Sequence, residues 1–279
     1  MPTFSMNVGG KLISINKPMI MGIINVTPDS FYADSRYETQ DLVLKKAAQM
    51  LEEGADFIDI GGQSTRSGAR LLSAKEERER IIPAIKALLK KYPQALLSID
   101  TYHSEVAEAA IEHGAVIIND ISAGEMDDKM IPLAAKLKAP YIAMHMKGSP
   151  ANMQKNPEYN NVVQEVFDYF IHKSFECREA GIKDLIIDPG FGFGKTLAHN
   201  YQLLNHLQFF HQLSCPLLIG MSRKSMIYKL LKIDPKEALN GSSIVNLLAI
   251  QQGAQILRVH DVKPAKELLE IWQFTMENA

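Results

Sequence analysis

The stretch ALLSIDTYHSEVAEAAIEHGAVIINDI, residues 95–121, carries the repeating unit of the fold. An apolar run, Ala95–Thr101, is followed by a helical stretch stopped at Gly114 and by a second apolar run, Ala115–Ile121. Nearly continuous apolar runs suit parallel strands that are covered by helices on one face and filled by side chains on the other. Working outward, further runs of this kind are Met19–Val26, Asp56–Ile60, Pro140–Met146, Leu185–Pro189, Pro216–Ser222 and Gln255–Asp261. The intervening segments have helical spacing, as in Leu44, Ala47, Ala48, Leu51 and again in Ala265, Leu268, Leu269, Trp272, which gives one buried face. Gly54, Gly181 and Gly253 stop their helices just before the next strand, as Gly114 does. Eight strand–helix units predict an α/β chain folded as a (β/α)8 TIM barrel; a doubly wound open sheet is the alternative and usually carries fewer strands. Ahead of the barrel, Phe4–Ile15 with Gly9-Gly10 as its turn predicts a short N-terminal β-hairpin within residues 1–17. No linker interrupts the alternation, so residues 1–279 read as one domain.

Charge narrows the function. Thirty Lys and Arg against 32 Asp and Glu leave a net charge of −2, with no basic excess for a polyphosphate backbone, so nucleic acid is not an expected partner. An apolar share of 46% and a charged share of 22% are those of an ordinary globular chain. No apolar run approaches the roughly 18 residues that cross a bilayer, so no membrane association is expected. The opening Met-Pro-Thr-Phe-Ser-Met-Asn lacks the basic start and apolar centre of a secretory signal, and a cytoplasmic location is expected. Cys177 and Cys215 stand outside any CxxC pattern, which argues against a disulfide scaffold and a cysteine zinc site.

In such barrels the chemistry sits at the C-terminal strand ends. Those ends carry Asn25, Asp59, Asp100, Asn119, His145, Asp188, Ser222 with Lys224, and His260. Asp and Asn also begin turns and cap helices, which suffices for any one of them. Eight polar ends in register predict a binding site. Asp100, Asn119 and Asp188 supply carboxylates and an amide, a match for a flat heterocycle with NH donors and a carbonyl acceptor. Arg66, Lys224, Arg258 and His260 supply cationic donors for a phosphate or carboxylate, and together they predict a local cationic pocket. Arg258 and His260, two apart on one strand, point the same way. Arg66 closes Gly61-Gly62-Gln63-Ser64-Thr65-Arg66, whose backbone NH groups are open to an anion or simply form a flexible turn. Gly190-Phe-Gly-Phe-Gly-Lys195-Thr196 looks like a phosphate loop, but the Walker pattern needs glycine at 189, where this chain has proline. There is no G-x-S-x-G elbow and no H-E-x-x-H, and the eight histidines lack metal-ligand spacing. Met144 and Met146, flanking His145, are placed to pack on a flat ring.

These segments resemble the dihydropteroate synthase family of pterin-binding enzymes. The matching stretches are Met21-Gly-Ile-Ile-Asn-Val-Thr-Pro-Asp-Ser-Phe31, Asp59-Ile-Gly-Gly-Gln-Ser-Thr-Arg66, Ser98-Ile-Asp-Thr101, Ile118-Asn-Asp-Ile121, Met144-His-Met146, Asp188-Pro-Gly-Phe-Gly-Phe-Gly-Lys195, Gly220-Met-Ser-Arg-Lys-Ser225 and Arg258-Val-His-Asp261. The resemblance implies a barrel enzyme, usually a homodimer, that joins (7,8-dihydropterin-6-yl)methyl diphosphate to 4-aminobenzoate, giving 7,8-dihydropteroate and diphosphate in folate biosynthesis. It implies a pterin pocket at Asp100, Asn119, Met144, Asp188, Lys224 and Arg258, and a diphosphate site at Asn25, Thr65, Arg66, Arg258 and His260. Asn25 is implied as a ligand of Mg2+, the expected cofactor. A 4-aminobenzoate site is implied at Thr65, Ser67, Phe193, Ser222 and Lys224, the site that sulfonamides imitate. Asp100, Lys224, Arg258 and His260 are the implied catalytic set, acting in an SN1-like displacement. Because an arylamine is unprotonated at neutral pH, the task is to stabilise charge rather than to shuttle protons.

Two departures stand out. Ser67 replaces the family's usual proline, which predicts a looser second loop and altered sulfonamide affinity with substrate binding largely kept. In the first loop the acidic residue, Asp34, is displaced by one position and is given no role. Two rival readings share the pterin-facing Asp and Asn: a corrinoid-dependent methyltetrahydrofolate methyltransferase, and a non-catalytic pterin-binding barrel. On the C-terminal helices, Ile244, Leu247, Leu248 and Trp272 read either as a subunit interface or as packing against the barrel.

Overall fold

A computed structural model describes residues 2–26, 36–63, 71–149, 153 and 156–278. The chain opens with an antiparallel hairpin, β1 (Phe4–Val8) and β2 (Lys11–Ile15), turned at Gly9-Gly10. Eight parallel strands follow: β3 (Met19–Asn25), β4 (Phe57–Gly61), β5 (Leu97–Asp100), β6 (Ile117–Asp120), β7 (Tyr141–Met144), β8 (Leu185–Asp188), β9 (Leu218–Ile219) and β10 (Ile256–Val259). The order β8-β7-β6-β5-β4-β3-β10-β9 closes through a parallel bridge from Ile187 to Leu217, so the result is a TIM barrel. The helices are α1 (Arg36–Glu52), α2 (Ala74–Lys91), α3 (Ser104–Glu112), α4 (Met130–Leu137), α5 (Val162–Glu179), α6 (Leu197–Asn205), α7 (Ser225–Leu231), α8 (Leu239–Gln251) and α9 (Val262–Glu277). Two 3-10 segments lie at Leu207–Leu213 and Pro235–Glu237. None of the described helices is long and apolar enough to cross a membrane.

Side-chain parity divides each strand between two cores. Ile58, Ile60, Leu97, Ile99, Ile118, Tyr141, Ile187 and Leu257 join the large outer core beneath the helices. Their neighbours Met21, Phe57, Ile117, Ile142, Ile186, Leu218 and Ile256 fill the N-terminal end of the barrel, with Met6, Val8 and Ile15 of the hairpin packed on them. The hairpin therefore plugs the bottom of the barrel, and the same inward parity, continued along each strand, leads to the polar end.

Strand β9 is shorter than the predicted Pro216–Ser222. Pro216 has no N–H to give a ladder, and the Leu217 N–H donates to Gln255 Oε1 at 2.7 Å instead of to a neighbouring strand. Gly54, Gly114, Gly181 and Gly253 each have φ between +91° and +101° after a helix, the left-handed stop that their positions predict.

Candidate active site

Inward parity brings Asp59, Asp100, Asn119, Met144, Asp188, Ser222, Arg258 and His260 to the C-terminal end of the barrel. Asp59, Asp100, Asn119, Asp188 and Ser222 are all buried. Across this floor lies a charge relay between strands. Arg258 Nε donates to Asp59 Oδ2 at 2.6 Å, and Arg258 Nη2 donates to Asp100 Oδ2 at 2.6 Å. Asn119 Nδ2 donates to the same Asp59 Oδ2 at 2.9 Å. Strands β10, β4, β5 and β6 are thus tied at the level of the pocket. Burial lowers the proton affinity of Arg258, but Asp59 and Asp100 outweigh it and hold its pKa above the ordinary arginine value. Burial pushes Asp100 up to about 7; Arg258 opposes this and Asp59 adds to it.

Lys224 precedes α7, and its Nζ donates to the Phe191 carbonyl at 2.6 Å and stands 4.5 Å from the centroid of the Phe193 ring. Burial lowers its pKa to about 8, with Asp188 acting the other way. Asp188 Oδ1 accepts from the Gly190 N–H at 2.8 Å, and burial raises its pKa from the ordinary value. The preceding Arg223 turns outward and forks onto Asp261 at 2.7 and 3.0 Å, bracing the turn from which Lys224 points inward. Over the floor, Phe193, Met144 and Met146 form an apolar cluster with Tyr102, Ile121 and Met153, a surface on which a flat ring can rest.

The expected cationic pocket is corrected among the described residues. Burial, with Arg258 close by, lowers His260 to about 4, so it is neutral at pH 7 and pairs with Ser222 Oγ at 3.2 Å. Three carboxylates, Asp59, Asp100 and Asp188, face the two cations Arg258 and Lys224. The same strand ends that bring cations bring acids, and a dry pocket requires the pairing. A small excess of acceptors is the complement of a ring rich in NH donors.

His145 is corrected as a pocket residue. One residue past the inward Met144, it takes the opposite parity, packs edge-on to Tyr169 at 4.9 Å and lies 2.9 Å from Lys195 Nζ. Asp59 is the residue whose role the sequence left unassigned, although it shares the inward parity of Asp100 and Arg258. Asn25 is exposed at the end of β3 beside Gly61. Thr65, Arg66, Ser67 and Asp34 lie outside the described residues.

The profile of the "Pterin binding enzyme" family matches residues 21–260. The chain belongs to the pterin-binding enzyme family. Dihydropteroate synthase of Escherichia coli K12 is 43% identical over 269 residues, covering 96% of this chain and 95% of that one. The crystal structure of Yersinia pestis dihydropteroate synthase with a sulfonamide drug superposes with a TM-score of 0.92 at 42% identity, covering 98% of this pterin-binding enzyme and 100% of that chain. Xanthomonas albilineans dihydropteroate synthase in complex with 7,8-dihydropteroate gives 0.87 at 37% identity, with 98% and 99% covered.

Proposed function

We propose that this pterin-binding enzyme is a dihydropteroate synthase, a transferase of folate biosynthesis. It joins (7,8-dihydropterin-6-yl)methyl diphosphate to 4-aminobenzoate, with loss of diphosphate. The observation that carries this reading is the inward row of Asp100, Asn119 and Asp188 set against Arg258 and Lys224. A pterin presents ring and amino NH groups together with one carbonyl oxygen, so carboxylates and an amide can accept while Lys224 donates. Met144 and the flat guanidinium of Arg258 give the two ring faces their contacts. The diphosphate is assigned to Asn25, Thr65, Arg66, Arg258 and His260. For 4-aminobenzoate the assigned residues are Thr65, Ser67, Phe193, Ser222 and Lys224, with Phe193 as its apolar wall.

The reaction breaks the bond from the pterin methylene carbon to the diphosphate oxygen, which leaves with the electron pair, and forms a bond from that carbon to the arylamine nitrogen, whose extra proton then passes to the departing diphosphate or to water. In an SN1-like course, Asp100 and the other buried carboxylates stabilise the cation on the pterin methylene, while Arg258, His260 and Arg66 receive the departing charge. His260, neutral in the free protein, hydrogen-bonds an incoming phosphate oxygen and gains proton affinity from it. Nothing here acts as a strong base, because the amine arrives with its lone pair free.

Among the described residues no group of three His, Cys, Asp or Glu could hold a metal ion. The neutral amide oxygen of Asn25, on an exposed residue, would hold Mg2+ brought in on the substrate diphosphate. Mg2+ would neutralise leaving-group charge when bound. We also assign the protein to the cytoplasm and to a homodimer built on the C-terminal helices. Ile244, Leu248, Ile271 and Phe274 are exposed there, whereas Leu247 is only partly exposed and Trp272 packs against the core.

The test is release of diphosphate from the dihydropterin diphosphate. It should require both 4-aminobenzoate and Mg2+, and appear together with 7,8-dihydropteroate. Methyl transfer from methyltetrahydrofolate to a corrinoid, or pterin binding with no release, would replace this reading with one of its rivals.

A pH prediction follows from the pocket. The pH profile of kcat/KM should rise as Asp100 ionises through about 7 and fall as Lys224 loses its proton through about 8, giving a narrow bell. Lys224→Arg should abolish the alkaline limb even where it lowers the rate, and an unchanged alkaline limb would remove Lys224 from that role.

A further inference from the structure

The segment Gly190–Lys195 fails as a phosphate loop, and the structure shows what its spacing serves. Gly190, Gly192 and Gly194 have φ of +71°, +80° and +62°. A Cβ on Gly190 would lie 1.8 Å from the His145 carbonyl oxygen, and one on Gly194 would lie 2.3 Å from that of Lys147. Backbone therefore packs directly on backbone at the end of β7. Lys195 is buried in the fold of this segment. Its Nζ donates to the carbonyls of Gly190 at 3.0 Å and Phe193 at 3.1 Å, reaches that of His145 at 3.4 Å, and lies 2.9 Å from His145 Nδ1. From outside, Asn200 Oδ1 accepts from the Gly192 N–H at 2.7 Å, and Tyr159 Oη donates to the Gly194 carbonyl at 2.9 Å. The clipped segment carries Phe191, whose carbonyl holds Lys224, and Phe193, whose ring lies beside Lys224.

We propose that Lys195 is a positioning residue that sets the Phe193 ring, and with it the 4-aminobenzoate wall, by clipping the Gly190–Lys195 segment to the end of β7. Among the described residues Lys195 Nζ makes no hydrogen bond to a side chain of the pocket floor; it reaches Asp188 through charge and through Gly190, whose N–H donates to Asp188. It bonds the Phe193 carbonyl directly and reaches the pterin-facing Asp188 only by way of Gly190, so its main effect should fall on the second substrate and little of it on the pterin ring. The inference rests on the assignment of Phe193 to 4-aminobenzoate.

Lys195→Met keeps the stem and removes the donor. It should raise the KM for 4-aminobenzoate about tenfold, since a wall displaced by a fraction of an ångström is costly at a reacting centre. The dissociation constant for 6-hydroxymethylpterin, measured by calorimetry, should change less than twofold. In a Phe193→Leu background the same substitution should add little to KM, because the two act on one element. If Lys195→Met does not fold, Tyr159→Phe removes a single tie on the same segment and should raise the KM for 4-aminobenzoate severalfold, again with pterin affinity kept. Parallel loss of both ligands, no change in KM, or an undiminished effect in the Phe193→Leu background would overturn the proposal. Phe193→Leu leaving the KM unchanged by itself would instead overturn the subsite assignment beneath it, so the two failures are distinguishable.

Discussion

Arg258→Ala is expected to lower kcat/KM about a thousandfold, on the scale seen when a single donor to developing charge is removed, and also to weaken the fold. In the native protein Asp59 and Asp100 share this one guanidinium, each at 2.6 Å. Removing one partner from a buried ion pair leaves uncompensated charge and costs about 3–5 kcal/mol. The loss should depend on pH in a defined direction. Without Arg258 the Asp100 carboxyl, already pushed up to about 7 by burial, has a folded pKa further above its unfolded one, so the folded state binds more protons than the unfolded state. Stability then falls as pH rises. Urea unfolding of Arg258→Ala should therefore show a larger deficit at pH 8 than at pH 6. Arg258→Met combined with Asp59→Asn and Asp100→Asn should recover most of the stability and none of the activity, because it removes the charges along with their pairing. Equal deficits at the two pH values would contradict the charge relay.

Asp188→Asn is the second large effect. One Asp188 oxygen accepts from the Gly190 N–H at 2.8 Å, and the other, Oδ2, lies toward Gly220 at the end of β9. An amide can satisfy only one of these directions as an acceptor and turns an NH2 group toward the other. Against a ring NH donor this exchanges a charged hydrogen bond for a donor–donor clash, and hydrogen bonds to charged groups contribute about 1.5–3 kcal/mol. The KM for the dihydropterin diphosphate should rise about a hundredfold, with a smaller rise in the KM for 4-aminobenzoate. Steady-state kinetics with each substrate varied in turn checks this, and equal rises in the two KM values would place Asp188 elsewhere.

The barrel and its N-terminal hairpin were legible in the sequence because they follow from patterns of short range: apolar runs, helical spacing, and a glycine stop at Gly54, Gly114, Gly181 and Gly253. Site residues were legible to the extent that strand-end position and period-two parity determine direction. Met144 and His145 show how narrow that margin is, since adjacent residues at one strand end serve the pocket and the loop behind it. Pairing was not legible. Arg258 is separated from Asp59 by 199 residues, and only closure of the barrel makes them neighbours, so the cations looked free and Asp59 looked spare. The state of His260 also depends on closure, because its burial and the nearness of Arg258 are tertiary facts. In β9, a side-chain acceptor from Gln255 replaced a ladder bond, something no strand propensity encodes.

The buried acceptors at the strand ends form a pocket for the pterin ring itself. Calorimetric titration of the native protein with 6-hydroxymethylpterin, which lacks the diphosphate, tests it most directly. One ring should bind per chain without Mg2+ or 4-aminobenzoate, and Asp188→Asn should weaken that binding about a hundredfold. Failure of the native protein to bind the ring unless a diphosphate is attached, or full binding by Asp188→Asn, would contradict it.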